Sequence, residues 1–395
     1  MEAMKGVADR PEPRDTYRIA YIIHFLLGAG NLLPWNVFIT AVDYFGCLYP
    51  AGHVEKVFSV AYMTSSLLVL VLVVSRGGWS SRLTFRLRMN LGFSMFVLSL
   101  MVPPIIDRTW HSSGSHGAYG VTVAAVLICG LADGLIAGSL IGLAGKLPKE
   151  YMQAVFAGTA SSGVLVSILR IVTKASLPQT SQGLRTSAYL YFIVSTVILL
   201  CCCLGSNMLN KLPIMQHHYR LLSVSDDPLS SGQKLWKVAR KIQWPAFGVL
   251  LIYIVTLSIF PGFIAENLES KLLQDWYPVL LITVYNVSDF VGKSFTAIFV
   301  PKSVKRATWA CIARVLFYPL FAVCLHGPKW LRSEAPFLAL TFMLGLTNGY
   351  VTSVLMILTP KLLPIAEAEI AAIVMILSLG IGLVGGSVLG WFWMI

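Results

Sequence analysis

Charged residues are scarce in this chain of 395 residues. Asp, Glu, Lys and Arg together make up 12% of the sequence, whereas hydrophobic residues make up 56%. Soluble domains carry about 25% charged residues, so this composition excludes a protein that is soluble along its whole length. The mean hydropathy of +0.74 predicts instead that most of the chain lies in a lipid bilayer.

The sequence also lacks the motifs of metal sites and of common enzymes. Its seven cysteines form no Cys-x-x-Cys pair, and it contains no His-Glu-x-x-His, Gly-x-Ser-x-Gly or Gly-x-x-x-x-Gly-Lys motif. We therefore expect a protein that is not an enzyme and that has no metal and no cofactor. The net charge of +12 does not indicate nucleic-acid binding, because the charges fall between apolar segments rather than in a patch or stripe.

Long apolar segments recur along the whole chain. A helix that crosses a bilayer needs about 20 mostly apolar residues, and the sequence offers eleven such candidates. The pattern predicts an all-α integral membrane protein with eleven transmembrane helices. The candidate spans are 17–42, 57–75, 89–106, 118–144, 152–173, 187–206, 244–264, 276–300, 307–326, 335–360 and 370–395.

Lysine and arginine show which side of the membrane each loop faces. Most of those outside the spans fall in alternate loops, which predicts a cytosolic N-terminus and an extracytosolic C-terminus. We interpret residues 1–16 as a cytosolic tail and the basic stretch 207–243 as a cytosolic linker. The linker would separate six helices within 17–206 from five within 244–395. We expect the protein in the plasma membrane, with the vacuolar membrane as the alternative.

Three polar residues share one face of the eighth span. Asn286, Asp289 and Lys293 are spaced by three and four residues, and the acid precedes the base in the favourable order for an ion pair. Charges inside a membrane usually face each other or a cavity. Two interpretations stay open: an internal ion pair that neutralises both charges, or a polar face that contacts a polar substrate.

The fourth span carries an acid beside a stripe of glycines spaced four apart, which begins at Gly130. Such a stripe predicts close approach of another helix, and Asp133 lies near it. Because burial favours the neutral form of an acid, Asp133 is a candidate proton carrier. The alternative is an acid held by a buried hydroxyl, by Arg170 or by Arg314.

Arg170 and Arg314 are candidate structural charges within their spans. Either could extend its side chain towards a membrane edge. Arg170 lies only four residues before Lys174, which favours this placement. Arg314 lies deeper in its span, and we expect it to pair with an acid.

The first span contains a proline followed by an aromatic residue and an amide. Pro34 removes a backbone hydrogen bond and predicts a kinked or loosened helix. Trp35 and Asn36 then offer a stacking surface beside a hydrogen-bonding group. This combination suits a planar, polar base.

At these motifs the sequence resembles the equilibrative nucleoside transporters, and the plant members in particular. The similar segments occur in order along the chain with compatible spacing. They are 28–41, 138–145, 289–293, 313–319, 347–350 and 366–369.

The resemblance implies a six-plus-five arrangement like the major facilitator fold, which moves a nucleoside or nucleobase by alternating access. It also implies a role for Asp289 and Lys293 at the ribose hydroxyls and for Leu32 and Trp35 near the base. Ile39, Phe260 and Pro261 would form an outer gate. The implied substrate-binding residues are Leu32, Trp35, Asn36, Asn286, Asp289, Lys293 and Leu383.

The chain departs from the family pattern at three positions. Lys293 stands where many members have arginine, and Ala137 stands where many have a base-contacting glutamine. Thr159 replaces the glutamate of the cation-transporting branch, which disfavours organic cations. The expected partners are a nucleoside, the lipid bilayer and, through Asp133, protons. A facilitator of sugars or organic cations is the alternative function.

Overall fold

Helices make up the regular structure of the described residues, apart from two short 3₁₀ turns at Thr16–Arg18 and Arg314–Leu316. The computed structural model describes residues 15–50, 54–75, 84–109, 116–224, 231–260, 273–274, 276–328 and 333–390. The helices are α1 (Ile19–Thr40), α2 (Val42–Leu48), α3 (Val54–Ser75), α4 (Phe85–Thr109), α5 (His116–Lys146), α6 (Lys149–Ser176), α7 (Ser181–Leu209), α8 (Pro213–Val224), α9 (Ser231–Lys241), α10 (Gln243–Ile259), α11 (Trp276–Phe295), α12 (Val304–Ala313), α13 (Phe317–His326), α14 (Glu334–Lys361) and α15 (Ile365–Gly390).

Many of these helices are long and apolar enough to cross a bilayer. Within the described ranges there are eight such spans, of which Val304–His326 includes the second 3₁₀ turn. A ninth results if Leu235–Lys241 and Gln243–Ile259, which meet at a bend of 74°, form one span. The segment Val57–Val73 is a shorter apolar helix. The protein is therefore an all-α, multi-pass membrane protein, and the count of eleven stays a prediction.

Two glycines allow α1 and α6 to pack backbone against backbone. A Cβ atom on Gly158 would lie 2.0 Å from the carbonyl oxygen of Phe25, and one on Gly28 would lie 2.1 Å from that of Val155. No real side chain fits at such distances. Small residues that permit close helix approach are typical of membrane proteins. The Gly28 end of the 28–41 motif thus fixes the crossing of α1 and α6.

The glycine stripe of the fourth span performs the predicted packing role at two positions. A Cβ on Gly130 would lie 2.3 Å from the carbonyl oxygen of Tyr62, and one on Gly134 would lie 2.5 Å from that of Ser66. Both neighbours belong to α3. Further along, Gly142 faces Ile373 of α15 at an ordinary contact distance of 3.4 Å. Gly130 and Gly134 of the stripe therefore allow α5 to pack closely against α3.

A third close crossing joins α11 to α14. A Cβ on Gly292 would lie 2.3 Å from the carbonyl oxygen of Leu346, and one on Gly349 would lie 2.1 Å from that of Asp289. Gly349 follows Asn348 in the 347–350 motif. The contact therefore brings the Asn348 side chain next to the Asp289 carboxylate.

The stretch interpreted as a linker contains helices of its own. It begins within the last turn of α7, and it includes α8 and α9. Met215 of α8 and Val238 of α9 are fully buried, so both helices pack against the rest of the protein. The assignment of 207–243 to a cytosolic linker between two bundles stays a prediction.

Candidate functional site

A buried ion pair lies in the C-terminal half of α11. Lys293 Nζ lies 2.8 Å from Asp289 Oδ2, which confirms the predicted contact between these residues. Lys293 Nζ also donates to Thr159 Oγ1 on α6 at 3.4 Å. Asn348 Nδ2 of α14 donates to Asp289 Oδ1 at 2.8 Å. Both charges are thus held by polar partners from two neighbouring helices, as buried charges require.

Arg314 lies at the 3₁₀ turn between α12 and α13 and is only 3% exposed. Among the described residues it forms no ion pair with an acid. Its guanidinium donates to Thr256 Oγ1 at 2.7 Å, to the carbonyl oxygen of Leu344 at 3.1 Å and to the hydroxyl of Thr347. The charge is therefore stabilised by three neutral acceptors, which α10 and α14 supply.

A cavity of about 550 Å³, lined by both polar and apolar side chains, lies beside α1, α6 and α11. Four residues that the sequence analysis assigned to substrate binding or to the outer gate line it: Asn36, Ile39, Phe260 and Asn286. Arg170 lines it as well. We call this space the Asn36 cavity. Its volume falls within the range of small-molecule sites.

Serine side chains of α6 hold the two asparagines of this cavity. Asn36 Nδ2 donates to Ser162 Oγ at 2.8 Å. Asn286 Nδ2 donates to Ser167 Oγ at 2.9 Å and to the carbonyl oxygen of Gly163 at 3.3 Å. The sequence analysis did not select these α6 residues, because small hydroxyl residues in a span give no distinct signal. Helix α6 therefore joins α1 to α11 through polar contacts.

A second cavity, of about 810 Å³, lies at the other ends of α1, α6 and α11. Tyr21, Gln153 and Thr296 line it, and we call it the Tyr21 cavity. Tyr21 and Asn36 lie 15 residues apart on α1, which corresponds to roughly 22 Å along a helix. The contact of Lys293 with Thr159 falls between the two cavities. The same three helices therefore border both spaces, and we call the Lys293–Thr159 contact between them the polar constriction.

Some of the first-helix residues line the cavities, and others pack in the hydrophobic core. Helix α1 continues through Pro34 to Thr40 and ends just before Ala41. The Trp35 ring packs against the Tyr62 ring of α3, with centroids 4.9 Å apart. Leu383 of α15 packs against the same core, and Leu32 is half-buried. Trp35 and Asn36 thus contact different helices, and a role for either in binding stays a prediction.

Two of the three residues assigned to the outer gate belong to the described residues. Phe260 follows directly after α10 and stacks on the Tyr285 ring of α11, with centroids 3.9 Å apart. Ile39 lines the same cavity as Phe260. Pro261 lies outside the described residues. Phe260, which stacks on Tyr285, therefore forms part of the wall of the Asn36 cavity.

Asp133 is held by a hydroxyl, and no lysine or arginine among the described residues forms an ion pair with it. Its Oδ2 atom accepts a hydrogen bond of 2.6 Å from Ser66 Oγ of α3. Arg170 forms an ion pair with Asp43 instead, and Arg314 has the neutral acceptors given above. Of the three alternatives for this acid, the structure shows the buried hydroxyl.

Histidine and cysteine form no metal centre in the part of the chain that the structure describes. No group of three potential ligands comes together there. His24 of α1 is fully buried, donates from Nδ1 to the carbonyl oxygen of Ala20 (2.7 Å) and packs on the Tyr151 ring. It behaves as a packed core residue.

The arrangement of helices matches solved structures of membrane transporters. The major facilitator superfamily proton:xylose symporter superimposes with a TM-score of 0.64 at 13% identity, covering 96% of this chain and 89% of that one. The fucose:proton symporter of E. coli gives a TM-score of 0.63, also at 13% identity, with 95% and 90% coverage. The chain therefore has the fold of the major facilitator transporters.

Sequence comparison narrows this class to a family. The nucleoside transporter family model matches residues 123–234 and 226–395. Equilibrative nucleotide transporter 8 of Arabidopsis thaliana is 63% identical over 392 residues, 99% of each chain. Equilibrative nucleotide transporter 1 of the same plant is 49% identical over 396 residues, 97% of this chain and 88% of its own. The chain belongs to the nucleoside transporter family, and it is a transporter rather than an enzyme.

Proposed function

We propose that this protein moves nucleosides across a membrane by alternating access, with the Asn36 cavity open towards the outside and the Tyr21 cavity towards the cytosol. The observation that carries the proposal is the pair of cavities that share α1, α6 and α11 and are separated by a polar constriction. A carrier needs one site that two cavities reach in turn. The Asp289–Lys293 pair supplies a polar site at this constriction.

In this proposal the polar groups bind the sugar and the flanking side chains contact the base. Asp289 accepts hydrogen bonds from ribose hydroxyls, and Lys293 donates to ribose oxygens. Asn36 and Asn286 guide the substrate along α6. Leu32, Trp35 and Leu383 contact the base after rearrangement of the helices. Ile39, Phe260 and Pro261 close the outer side.

The topology proposed for this function has eleven spans in a six-plus-five arrangement, with the N-terminus in the cytosol. The α5 and α15 helices would then approach each other on the cytosolic side. The plasma membrane is the proposed location, with the vacuolar membrane as the alternative. A glycosylation sequon or epitope tag fused after Ile395 tests the orientation, because only an extracytosolic C-terminus would become modified or labelled on intact cells.

Uptake of labelled uridine and adenosine into transport-deficient cells tests the substrate class. We expect saturable uptake that excess unlabelled nucleoside abolishes and that excess xylose or choline leaves unchanged. Asp289→Asn should reduce uptake, because it removes a carboxylate oxygen from the site. Inhibition by xylose or choline, with none by adenosine or uridine, would establish the sugar or organic-cation alternative.

Proton coupling through Asp133 is a second proposed property of the transporter. The carboxylate is partly enclosed, it accepts a hydrogen bond from Ser66, and no lysine or arginine of the described residues forms an ion pair with it. An acid without a cation nearby takes up a proton more readily than a paired one. Tyr62 lies one turn from Ser66 on α3 and contacts the Trp35 ring, which links Asp133 to α1.

A pH gradient separates coupled from uncoupled transport. We expect wild-type uptake to rise when the outside is acidic and Asp133→Asn to lose this response. Asp107→Asn is the matched control, because Asp107 is an acid at the end of α4 that pairs with Arg185 at 3.3 Å. An unchanged gradient response in Asp133→Asn would show that Asp133 does not couple transport to protons.

A further inference from the structure

A chain of buried hydrogen bonds runs from Arg314 to the ion pair of α11. Arg314 donates to Thr256 Oγ1 at 2.7 Å, and Thr256 Oγ1 donates to Asn348 Oδ1 at 2.9 Å. Asn348 Nδ2 then donates to Asp289 Oδ1 at 2.8 Å, and Asp289 Oδ2 accepts from Lys293 at 2.8 Å. All five side chains are less than 9% exposed. We call this chain the Arg314 relay.

The two ends of the Arg314 relay determine the direction of every bond in it. A guanidinium can only donate, and an ionised carboxylate can only accept. Because Arg314 donates to the Thr256 oxygen, the single hydroxyl hydrogen of Thr256 is free to donate to Asn348 Oδ1. The amide nitrogen of Asn348 must then point towards Asp289. Removal of any one side chain of the relay would therefore leave the orientation of the next side chain unfixed.

The relay is assembled from elements that are far apart in sequence. Thr256 lies on α10, Asn348 on α14 and Arg314 at the 3₁₀ turn. The close crossing at Gly349 brings Asn348 within reach of Asp289. The backbone therefore fixes the spacing that the hydrogen bonds require, so the relay is part of the fold and not a surface contact.

The relay leaves Asp289 with a defined set of vacant acceptor positions. A carboxylate has about four lone-pair sites, two on each oxygen. Asn348 occupies one site of Oδ1, and Lys293 occupies one site of Oδ2. No other group among the described residues donates to this carboxylate, so one site on each oxygen is left for a ligand. Two adjacent acceptors on one carboxylate match two adjacent hydroxyl donors, as in a vicinal diol.

We propose that Arg314, Thr256 and Asn348 are positioning residues that hold Asp289 ready to accept both hydroxyls of the 2′,3′-diol of a ribonucleoside. The assignment rests on the proposed nucleoside transport. It makes the relay a specificity determinant for ribonucleosides over 2′,3′-dideoxynucleosides, although none of its three members needs to touch the substrate.

The test compares initial uptake of uridine and 2′,3′-dideoxyuridine, each divided by the amount of protein in the membrane. Thr256→Val keeps the side-chain shape but breaks the relay, so uridine uptake should fall on the order of tenfold with dideoxyuridine uptake unchanged. Thr256→Ser keeps the hydroxyl and should restore uridine uptake. Thr347→Val is the matched control, because Thr347 also contacts Arg314 but lies outside the relay.

Each of the following outcomes would overturn the assignment of the relay as a specificity determinant. An equal loss of both substrates in Thr256→Val would make the relay purely structural. Equal wild-type uptake of both substrates would refute the diol contact while nucleoside transport stands, and wild-type uptake of neither would refute the proposed function itself. If Thr256→Val does not reach the membrane, Asn348→Ser, which removes the amide donor to Asp289, is judged by the same ratio.

Discussion

Lys146 at the end of α5 forms an ion pair of 2.5 Å with Glu369 near the start of α15. Both side chains are partly buried, and they join segments more than 200 residues apart in the sequence. The contact lies where α5 and α15 approach closely, since a Cβ on Gly145 would lie 2.7 Å from the Ala372 side chain. The ion pair therefore stabilises the state in which these two helix ends touch.

Reversal of one charge of this pair should impair transport. In Glu369→Lys two ammonium groups face each other, which destabilises the contact, and we expect uridine uptake to fall several-fold. The double variant Lys146→Glu with Glu369→Lys should recover most of the loss. The control is Lys241→Ala, which removes the more exposed pair with Glu367 and should have little effect. Failure of the double variant to recover would show that the pair acts through other contacts.

Removal of Lys293 should affect stability and transport separately. Lys293→Met leaves a buried carboxylate without its cation, which costs about 3–5 kcal/mol, so the purified protein should melt at a lower temperature. Adding Asp289→Asn should recover the melting temperature but not uridine uptake. Lys293→Arg, which introduces the residue of many family members, should retain transport. Full uptake by the double variant would contradict a substrate role for the pair.

Substitution of Asn286 should reduce transport more than substitution of a neighbour in the same cavity. Asn286→Leu loses the hydrogen bonds to Ser167 Oγ and to the carbonyl oxygen of Gly163, each worth about 0.5–1.5 kcal/mol, and it places an apolar side chain against the Ser167 hydroxyl. We expect at least a tenfold loss in uptake rate. Thr283→Val is the control, because Thr283 lines the cavity but bonds only within its own helix. Equal losses in both variants would refute a specific role for Asn286.

The crossing of α1 and α6 should tolerate no side chain at Gly158. Gly158→Val would place atoms at 2.0 Å from a backbone oxygen that cannot move independently. We expect little folded protein after solubilisation, measured as the monodisperse peak in size-exclusion chromatography. Gly46→Ala is the control, because a Cβ there meets nothing within 4 Å. A normal peak for Gly158→Val would require a different packing of these helices.

Residue patterns predicted the parts of this protein that depend on local spacing. The Asp289–Lys293 contact follows from a separation of four residues on one helix, and the glycine stripe at Gly130 and Gly134 follows from the same periodicity. Both lie on a single helix, so the periodicity alone places their side chains on one face. The helices within 207–243 are short, and their charged residues obscured the apolar positions such as Met215.

Contacts between distant helices were beyond prediction. Arg314 carried an expectation of an acidic partner, because a buried charge usually pairs with its opposite. The structure gives it Thr256 and Thr347, which lie 58 and 33 residues away. Asn348 belongs to a segment that resembles the family, but nothing in the sequence indicates that it contacts Asp289. Such partners follow from the helix crossings, which a single sequence does not specify.

The contact between Lys293 and Thr159 acts geometrically as a fulcrum. Along α6, Ser167 at the Asn36 cavity lies eight residues from Thr159, and Gln153 at the Tyr21 cavity lies six residues from it, so the lever arms are roughly 12 and 9 Å. In the proposed transport cycle, a tilt of α11 against α6 about this point would widen one cavity while it narrows the other. Because the two arms differ by about a third, the opening at the Asn36 cavity would change by about a third more than the opening at the Tyr21 cavity.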